Sequence, residues 1–268
     1  MFSFTIEELK PADLANIPRL QPASWGNIVP NTRFYIESNF CYAIKASAGG
    51  ELLGTGAAIM HKNVAWLANI IVHPDARNHG IGTAITKHLL AFLQTRYDNI
   101  MLIATPLGMP IYEKFGFKTD GIYQFFHEGV LAGEAHPQLQ NYSKIFRVDI
   151  LNMDLQITGE AREQMLTPHL EQAVVYVDQT GVRGFCMPTL GEGLALADTV
   201  EAGLALMRPR LSTRKKTVVP VENKAAFEFL LQNGFEAEEN RLAYRMYLGN
   251  KFPWNPEKIF GRVGGNVG

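Results

Sequence analysis

IIVHPDARNHGIGT, residues 70–83, is the stretch of sequence that decides the fold. Its branched apolar residues predict a strand that ends before Pro74. Gly80 and Gly82 then open a segment whose apolar residues recur at helical spacing. The first amide groups of a helix have no internal partners, and the helix dipole adds partial positive charge there. Since glycine lets a bulky anion approach the backbone, this strand–turn–helix unit predicts a diphosphate site.

The pattern of this turn excludes two common nucleotide-binding motifs. Gly-Lys-Ser/Thr is absent, and only one Gly-x-Gly pair is present. Arg77, Gly80 and Gly82 instead match Gln/Arg-x-x-Gly-x-Gly/Ala, so the stretch resembles the phosphate loop of the GNAT N-acetyltransferase superfamily. Residues 111–117, IYEKFGF, resemble the second motif of that superfamily, a helix that carries Tyr and ends in Gly-Phe.

The resemblance implies acetyl-CoA as cosubstrate, bound where the sheet splays between the strands predicted at 64–72 and 100–104. The backbone of Ile70, Ile71 and Val72 would hold the pantetheine arm and face the acetyl carbonyl. The diphosphate would lie on the backbone amides of Asn78, His79, Gly80, Ile81, Gly82 and Thr83.

Two further side chains belong to the implied cofactor site. Arg77 would orient the loop or touch phosphate. Thr105 stands where the second motif commonly has Asn, a residue that helps to hold the pantetheine arm. The resemblance therefore implies that Thr105 holds this arm differently or not at all.

Acetyl transfer to an amine makes three chemical demands. An alkyl amine has a pKa near 10, so only about one part in a thousand is neutral at pH 7. Attack creates an oxyanion, which backbone amides of the fourth strand can stabilise. The departing thiolate needs a proton, and Tyr112 is the predicted donor, with a purely packing role as the alternative. The general base stays open between His73, Glu37 and a water relay.

Periodicity along the chain predicts an α/β (α+β) protein in two parts. In the first part a strand and helices precede three consecutive strands over 40–72, followed by helix, strand, helix and strand to His127. The predicted domains are a catalytic GNAT domain at 1–132, a linker at 133–146 and a divergent GNAT-like domain at 147–268.

The second part resembles a degenerate internal repeat of the first. The spacing of Asn223, Ala226, Leu230 and Gly234 matches the second motif, with Leu230 in the Tyr position. Residues 188–193, PTLGEG, have the spacing of the phosphate loop but bring Pro and Glu to it. The whole chain resembles bacterial two-part acetyltransferases, and we expect no cofactor in the second part.

Composition limits the partners. The 268 residues carry 25 basic and 26 acidic side chains, for a net charge of −1, which argues against wrapping nucleic acid. Two cysteines predict reduced thiols, no Cys/His cluster indicates a metal, and no stretch resembles a signal peptide or a membrane span. We expect a cytoplasmic monomer or homodimer.

The most specific function that these observations predict is an N-acetyltransferase. It would move an acetyl group from acetyl-CoA to the primary amine of a small molecule, by direct attack through a tetrahedral intermediate. A non-catalytic acyl-CoA-binding sensor is the main alternative. An enzyme that acetylates protein lysines or N-termini is the third.

Overall fold

A computed structural model describes residues 3–22, 25–129, 131, 136–251 and 253–266. By their internal contacts, the residues form two compact units. Unit 1 comprises Met1–Lys118, Met246–Asn250 and Gly265–Gly268, and unit 2 comprises Thr119–Arg245 and Lys251–Gly264. The domain boundaries at 132 and 147 stay a prediction, and 132–135 lie outside the described residues.

The helices and strands of the described ranges follow each other in a mixed order. The strands are β1 (Thr5–Glu8), β2 (Cys41–Ala48), β3 (Glu51–Met60), β4 (Ala65–Val72), β5 (Ile100–Ala104), β6 (Lys118–His127), β7 (Leu139–Asn141), β8 (Val174–Asp178), β9 (Gly181–Met187), β10 (Leu194–Ala197), β11 (Lys216–Pro220), β12 (Glu236–Leu248) and β13 (Ile259–Gly261). The α-helices are α1 (Val29–Glu37), α2 (Ile81–Leu93), α3 (Met109–Glu113), α4 (Arg147–Thr158), α5 (Glu163–Leu166), α6 (Val200–Leu211) and α7 (Lys224–Gln232). None of the helices described is long and apolar enough to cross a bilayer.

Some elements differ from the prediction at their ends. The first strand begins at Thr5, and Phe2, on which its prediction partly rested, lies outside the described residues. The predicted linker contains strand β7 and a short 3-10 turn.

The sheet of unit 1 splays between its fourth and fifth strands. Strands β1 to β4 pair antiparallel in chain order, and β4 then pairs parallel with β5. The parallel pairing runs from Ala65↔Ile100 to Leu67↔Leu102, while β4 continues to Val72. The splayed mixed sheet predicted from the sequence is therefore confirmed.

Helix α2 packs against this sheet over two glycines of β3. A Cβ on Gly56 would lie 2.6 Å from Cγ2 of Ile85, and a Cβ on Gly54 would lie 2.8 Å from the carbonyl oxygen of Ile71. The buried face of α2 includes Ile81, Ile85 and Leu89. Because these glycines let the helix approach the strands closely, they fix where α2 begins relative to the end of β4.

Unit 2 repeats the element order of unit 1. Strands β8, β9 and β10 form an antiparallel meander, and α6, β11, α7 and β12 follow it. The same succession runs earlier in the chain from β2 to β6, with α2 and α3 in the helix positions, although β6 beyond Lys118 belongs to unit 2. The five-stranded sheet of unit 2 has the order β13-β10-β9-β8-β7, and β11 pairs with β6 instead.

Several charged side chains are buried in unit 2. Arg162 donates to both carboxylate oxygens of Asp154, at 2.8 and 3.0 Å, and both side chains are at most 4% exposed. Arg245 donates to Asp120 and lies over the ring of Trp254. A buried charge is tolerated when it is paired and hydrogen-bonded, so these pairs hold the interior of unit 2 together.

Candidate active site

Strand β4 carries a bulge where it leaves β5. Thr55 pairs with Ile71 and Ala57 pairs with Ala68, so Gly56 alone faces both Asn69 and Ile70. Asn69 has a φ of 46°, in the left-handed region, which Asn tolerates better than branched residues do. The extra residue breaks the alternation of side chains along β4.

The loop after β4 is held in shape by its own polar groups. His73 Nδ1 accepts from the amide of Asp75 at 3.3 Å and closes a short 3-10 turn. Arg77 Nε donates to the carbonyl of Val72 at 3.3 Å, which joins the loop to the end of β4. This contact is compatible with the loop-orienting role, one of the two predicted for Arg77, and the side chain is exposed.

The amides at the start of α2 have no acceptor. Ala84 is the first residue of this helix whose amide bonds to a backbone carbonyl, that of Gly80. The amides of Ile81, Gly82 and Thr83 precede it and donate to no group in the described ranges. Asn78 and Gly80, with φ values of 64° and 78°, turn the chain immediately before them. The loop thus presents adjacent donors at the positive end of a 13-residue helix.

The space around the loop fits an anion. No heavy atom lies within 4 Å of the position that a Cβ on Gly80 would take. A Cβ on Gly82 would meet Val72 and Ile111 at 3.6 and 3.7 Å, ordinary contact distances. Ile111 belongs to α3, so the loop and the second motif are neighbours in space, as the predicted site requires.

Thr105 and Gly108 shape the start of α3. Thr105 accepts from the amide of Gly108 through both its carbonyl, at 3.0 Å, and its Oγ1, at 3.3 Å. The Thr105 side chain therefore closes the turn before α3, the place that the family commonly gives to Asn. Its Oγ1 still has a proton to donate and a second lone pair that can accept, so Thr105 is able to bind a ligand in either way.

Tyr112 has a hydroxyl group without a partner in the described ranges, and its ring stacks edge-on against Phe117 at 6.0 Å. Its backbone carbonyl accepts from the amides of Phe115 and Phe117, which fixes the turn at the motif's Gly-Phe. Burial raises the pKa of Tyr112 to about 12. The phenol is therefore protonated at neutral pH and is able to donate.

Neither side chain considered as a general base is well placed for the role. The Nδ1 of His73 is used by the turn described above. Glu37 is exposed and pairs with Arg33 one helical turn away, at 3.4 Å. No group of three or more His, Cys, Asp or Glu that could hold a metal ion occurs among the residues described.

The phosphate-loop equivalent in unit 2 is not where the sequence predicted it. Residues 188–193 form the turn between the antiparallel strands β9 and β10, so a strand follows them and not a helix. The prediction was wrong because two glycines at that spacing also suit a hairpin. The segment that leads into the equivalent helix, α6, is Asp198-Thr199.

That segment is unsuited to phosphate. The side chain of Thr199 caps α6 by accepting from the amide of Ala202 at 3.3 Å. Asp198, paired with Arg183, and Glu201, which accepts from Tyr176, bring two carboxylates to the start of the helix. The N-terminus of a helix attracts an anion, but the two carboxylates already there would repel a diphosphate.

The edge of β10 that corresponds to the splay of unit 1 is covered by the chain itself. Strand β13 pairs with β10 through Ile259 and Gly261. The Nδ2 of Asn223 donates to the carbonyl of Ile259 at 3.0 Å. The ring of Phe260 packs so closely on α6 that a Cβ on Gly203 would collide with it.

Comparisons with known proteins agree with this geometry. Two family models, both described as acetyltransferase (GNAT) domain, match residues 31–119 and 150–261. A curated mouse protein, cysteine-rich protein 2-binding protein, is 32% identical over 66 residues, which cover 25% of this chain and 8% of that protein. The chain thus spans a small part of that relative.

Solved structures share the fold along the whole chain. A Pyrococcus horikoshii protein, described provisionally as an acetyltransferase, has a TM-score of 0.85 at 19% identity, with 99% of this chain and 96% of that one covered. A GCN5-related N-acetyltransferase from Sphaerobacter thermophilus has a TM-score of 0.62 at 12% identity, covering 94% and 98%. The first family model includes the loop, β5 and α3. The chain belongs to the GNAT acetyltransferases and carries two GNAT domains.

Proposed function

We propose that this acetyltransferase acts on the primary amine of a small molecule, and that unit 1 carries the reaction. The observation that carries the placement is the row of unpartnered amides at the start of α2, next to a Gly80 with open space around it. Those donors, the amides of Ile81, Gly82 and Thr83, would hold the diphosphate of acetyl-CoA together with the loop backbone from Asn78 to Gly80. The backbone of Ile70, Ile71 and Val72 would hold the pantetheine arm.

The chemistry follows from the groups around the splay. The amine nitrogen forms a bond to the thioester carbonyl carbon, and the carbonyl electron pair moves to oxygen to give a tetrahedral intermediate. The C–N bond stays when the C–S bond breaks, and the sulfur leaves as a thiolate. Tyr112 would give this sulfur its proton, and the phenolate would then regain a proton from water, since burial raises the pKa of the phenol to about 12.

Deprotonation of the amine is proposed to run through water. The two side chains considered as bases are committed elsewhere, His73 to its turn and Glu37 to Arg33. Water can carry the amine proton to bulk solvent if a fraction of the acceptor amine is already neutral when it binds. The rate would then follow the fraction of neutral amine.

Unit 2 is proposed to bind no cofactor. Its helix α6 begins between Asp198 and Glu201, and the edge of β10 is paired with β13. The position that would hold an acyl carrier is thus filled by residues 259–261. A cytoplasmic location belongs to the same proposal, and the free thiols of Cys41 and Cys186 are compatible with it.

Two measurements test this function. A thermal melt with acetyl-CoA at 100 times its Kd should raise stability by about 2.7 kcal/mol, a rise in Tm of roughly 5–10 °C for a protein of this size. Isothermal titration should give one site per chain. Two sites would contradict the proposal for unit 2, and no rise in Tm at millimolar ligand would contradict the site in unit 1.

Turnover identifies the acceptor. Release of free thiol from acetyl-CoA is followed with small primary amines, polyamines, amino acids and a lysine-containing peptide. Acetylation of small amines alone supports the proposal. Acetylation of the peptide alone would replace the small-molecule acceptor by a protein. Binding of acetyl-CoA without thiol release for any amine would favour a sensor.

A further inference from the structure

The side chain of Asn69 is buried without a partner. Only 7% of the residue is exposed. Its Nδ2 is enclosed and donates to no group in the described ranges. An unsatisfied buried donor destabilises a folded protein, because it has lost its hydrogen bond to water. Such a group in a folded protein calls for an explanation, and a ligand oxygen is one.

The position of Asn69 indicates which ligand. It is the first residue of the bulge on β4, two residues beyond the last pair with β5, Leu67↔Leu102. The next three residues, Ile70 to Val72, are those whose backbone we propose for the pantetheine arm and the acetyl group. The buried amide therefore lies at the acyl end of the proposed site, away from the diphosphate loop.

The chemistry of the Asn69 side-chain amide indicates that the ligand atom it binds is an oxygen. An N–H of Asn69 is a neutral donor that keeps its proton. A bond to the attacking amine would occupy the lone pair needed for attack. A bond to a carbonyl oxygen becomes stronger as that oxygen gains negative charge, which lowers the barrier.

We infer that Asn69 is a catalytic residue whose Nδ2 donates a hydrogen bond to the carbonyl oxygen of the acetyl thioester. This inference rests on the proposed function. The carbonyl oxygen takes the electron pair when the C–N bond forms and returns it when the C–S bond breaks. Asn69 transfers no proton in either step.

The left-handed backbone of Asn69 offers a sharp test. Asn69→Gly removes the side-chain amide and introduces glycine, the residue that best tolerates a φ of 46°. Glu128→Gly is the matched control, since Glu128 also has a positive φ, 68°, and takes no part in the proposed site. The control measures what glycine at such a position does to stability by itself.

The first readout is binding and needs no acceptor. Free CoA lacks the carbonyl, so wild-type protein should bind acetyl-CoA more tightly than CoA. Asn69→Gly should lose about 2–10-fold of affinity for acetyl-CoA and none for CoA, in line with one neutral hydrogen bond. Equal losses for both ligands would assign Asn69 to the pantetheine arm and overturn the inference. The inference would also be overturned if acetyl-CoA and CoA bound with equal affinity, both to wild-type protein and to Asn69→Gly.

The second readout is turnover with the best amine. Asn69→Gly should lower kcat by about 10²-fold, as loss of one oxyanion donor does, with a small change in KM for the amine. An unchanged kcat would overturn the inference. If wild-type protein binds neither acetyl-CoA nor CoA, the proposed function itself fails. A larger loss of stability in Asn69→Gly than in Glu128→Gly would show a structural role. The affinity for CoA separates the two roles, because a structural defect would weaken CoA binding as well as acetyl-CoA binding.

Discussion

Gly108 and the ring of Tyr112 are in such close contact that a Cβ on Gly108 would lie 3.3 Å from Cε2 of Tyr112. The family motif commonly has Ala at this position, so the glycine of this chain makes room for the ring. Gly108→Ala should shift Tyr112 by a few tenths of an ångström and lower kcat by about tenfold, since small misplacements at a reacting group are costly. Leu107→Ala, at an 80% exposed neighbour, is the control. Equal kcat values for Gly108→Ala and wild type would show that the ring position is not critical.

Tyr112→Phe removes the proposed proton donor and keeps the ring. Thiol release should slow by about 10²-fold, with acetyl-CoA affinity unchanged. Because the pKa of Tyr112 is raised to about 12, its protonated form persists across the working range. In wild type, kcat/KM should therefore rise with pH as neutral amine accumulates, up to the amine pKa near 10. A decline that sets in between pH 7 and 9 would contradict both the phenol and the water relay.

The loop glycine Gly82 should tolerate a methyl group and reject a charge. A Cβ there meets its neighbours at 3.6 Å or more, so Gly82→Ala should keep the Tm and the affinity for acetyl-CoA. Gly82→Glu places a carboxylate against the diphosphate and should abolish binding, measured as the loss of the ligand-induced rise in Tm. Unchanged affinity in Gly82→Glu would contradict the placement of the loop.

The packing of α2 on β3 should be sensitive to a single methyl group. Gly56→Ala brings a Cβ within 2.6 Å of Ile85 and should lower the free energy of unfolding by about 1–3 kcal/mol in urea. Gly26→Ala, which has no atom within 4 Å of the new Cβ, should leave it nearly unchanged. Similar midpoints for both variants would mean that α2 lies farther from the sheet.

The ion pair of Asp154 with Arg162 should matter far more than a partly exposed one. Asp154→Asn leaves the buried guanidinium of Arg162 with only Glu160, at 3.8 Å, and should cost up to about 3–5 kcal/mol of stability. Asp198→Asn breaks the pair with Arg183, whose side chain is 29% exposed, and should cost less than about 1 kcal/mol. Chemical unfolding of both variants compares them directly, and equal losses would refute the difference.

The sequence predicted the architecture well where pattern and chemistry coincide. The strand, glycine turn and helix at 65–93 and the helix at Met109 occur as the motifs indicated, because a splayed sheet and a phosphate loop need those residue types locally. The role given to Tyr112 stays a prediction for the experiments above, and the roles given to Arg77 and Thr105 stay predictions as well.

The bulge at Asn69 could not be derived from alternation, since an extra residue in one strand shows only in its pairing with the other. Its sequence signal is slight, one Asn within a run of branched and apolar residues. The prediction for residues 188–193 was wrong for a related reason, because the same glycine spacing fits both a hairpin turn and the start of a helix. What distinguishes them is the next element, which long-range pairing decides.

Strand β12 has a consequence for how the protein is made. Its residues up to Arg245 belong to unit 2, while Met246–Asn250 belong to unit 1, where the amide of Asn250 donates to Asn99. A chain leaves the ribosome from its N-terminus, and a domain folds once its residues have emerged. Unit 1 lacks a part of itself until residue 250 is free, by which time nearly all of unit 2 has been synthesised. We therefore expect the proposed reaction site in unit 1 to mature only after residue 250 has left the ribosome, when most of unit 2 is already able to fold.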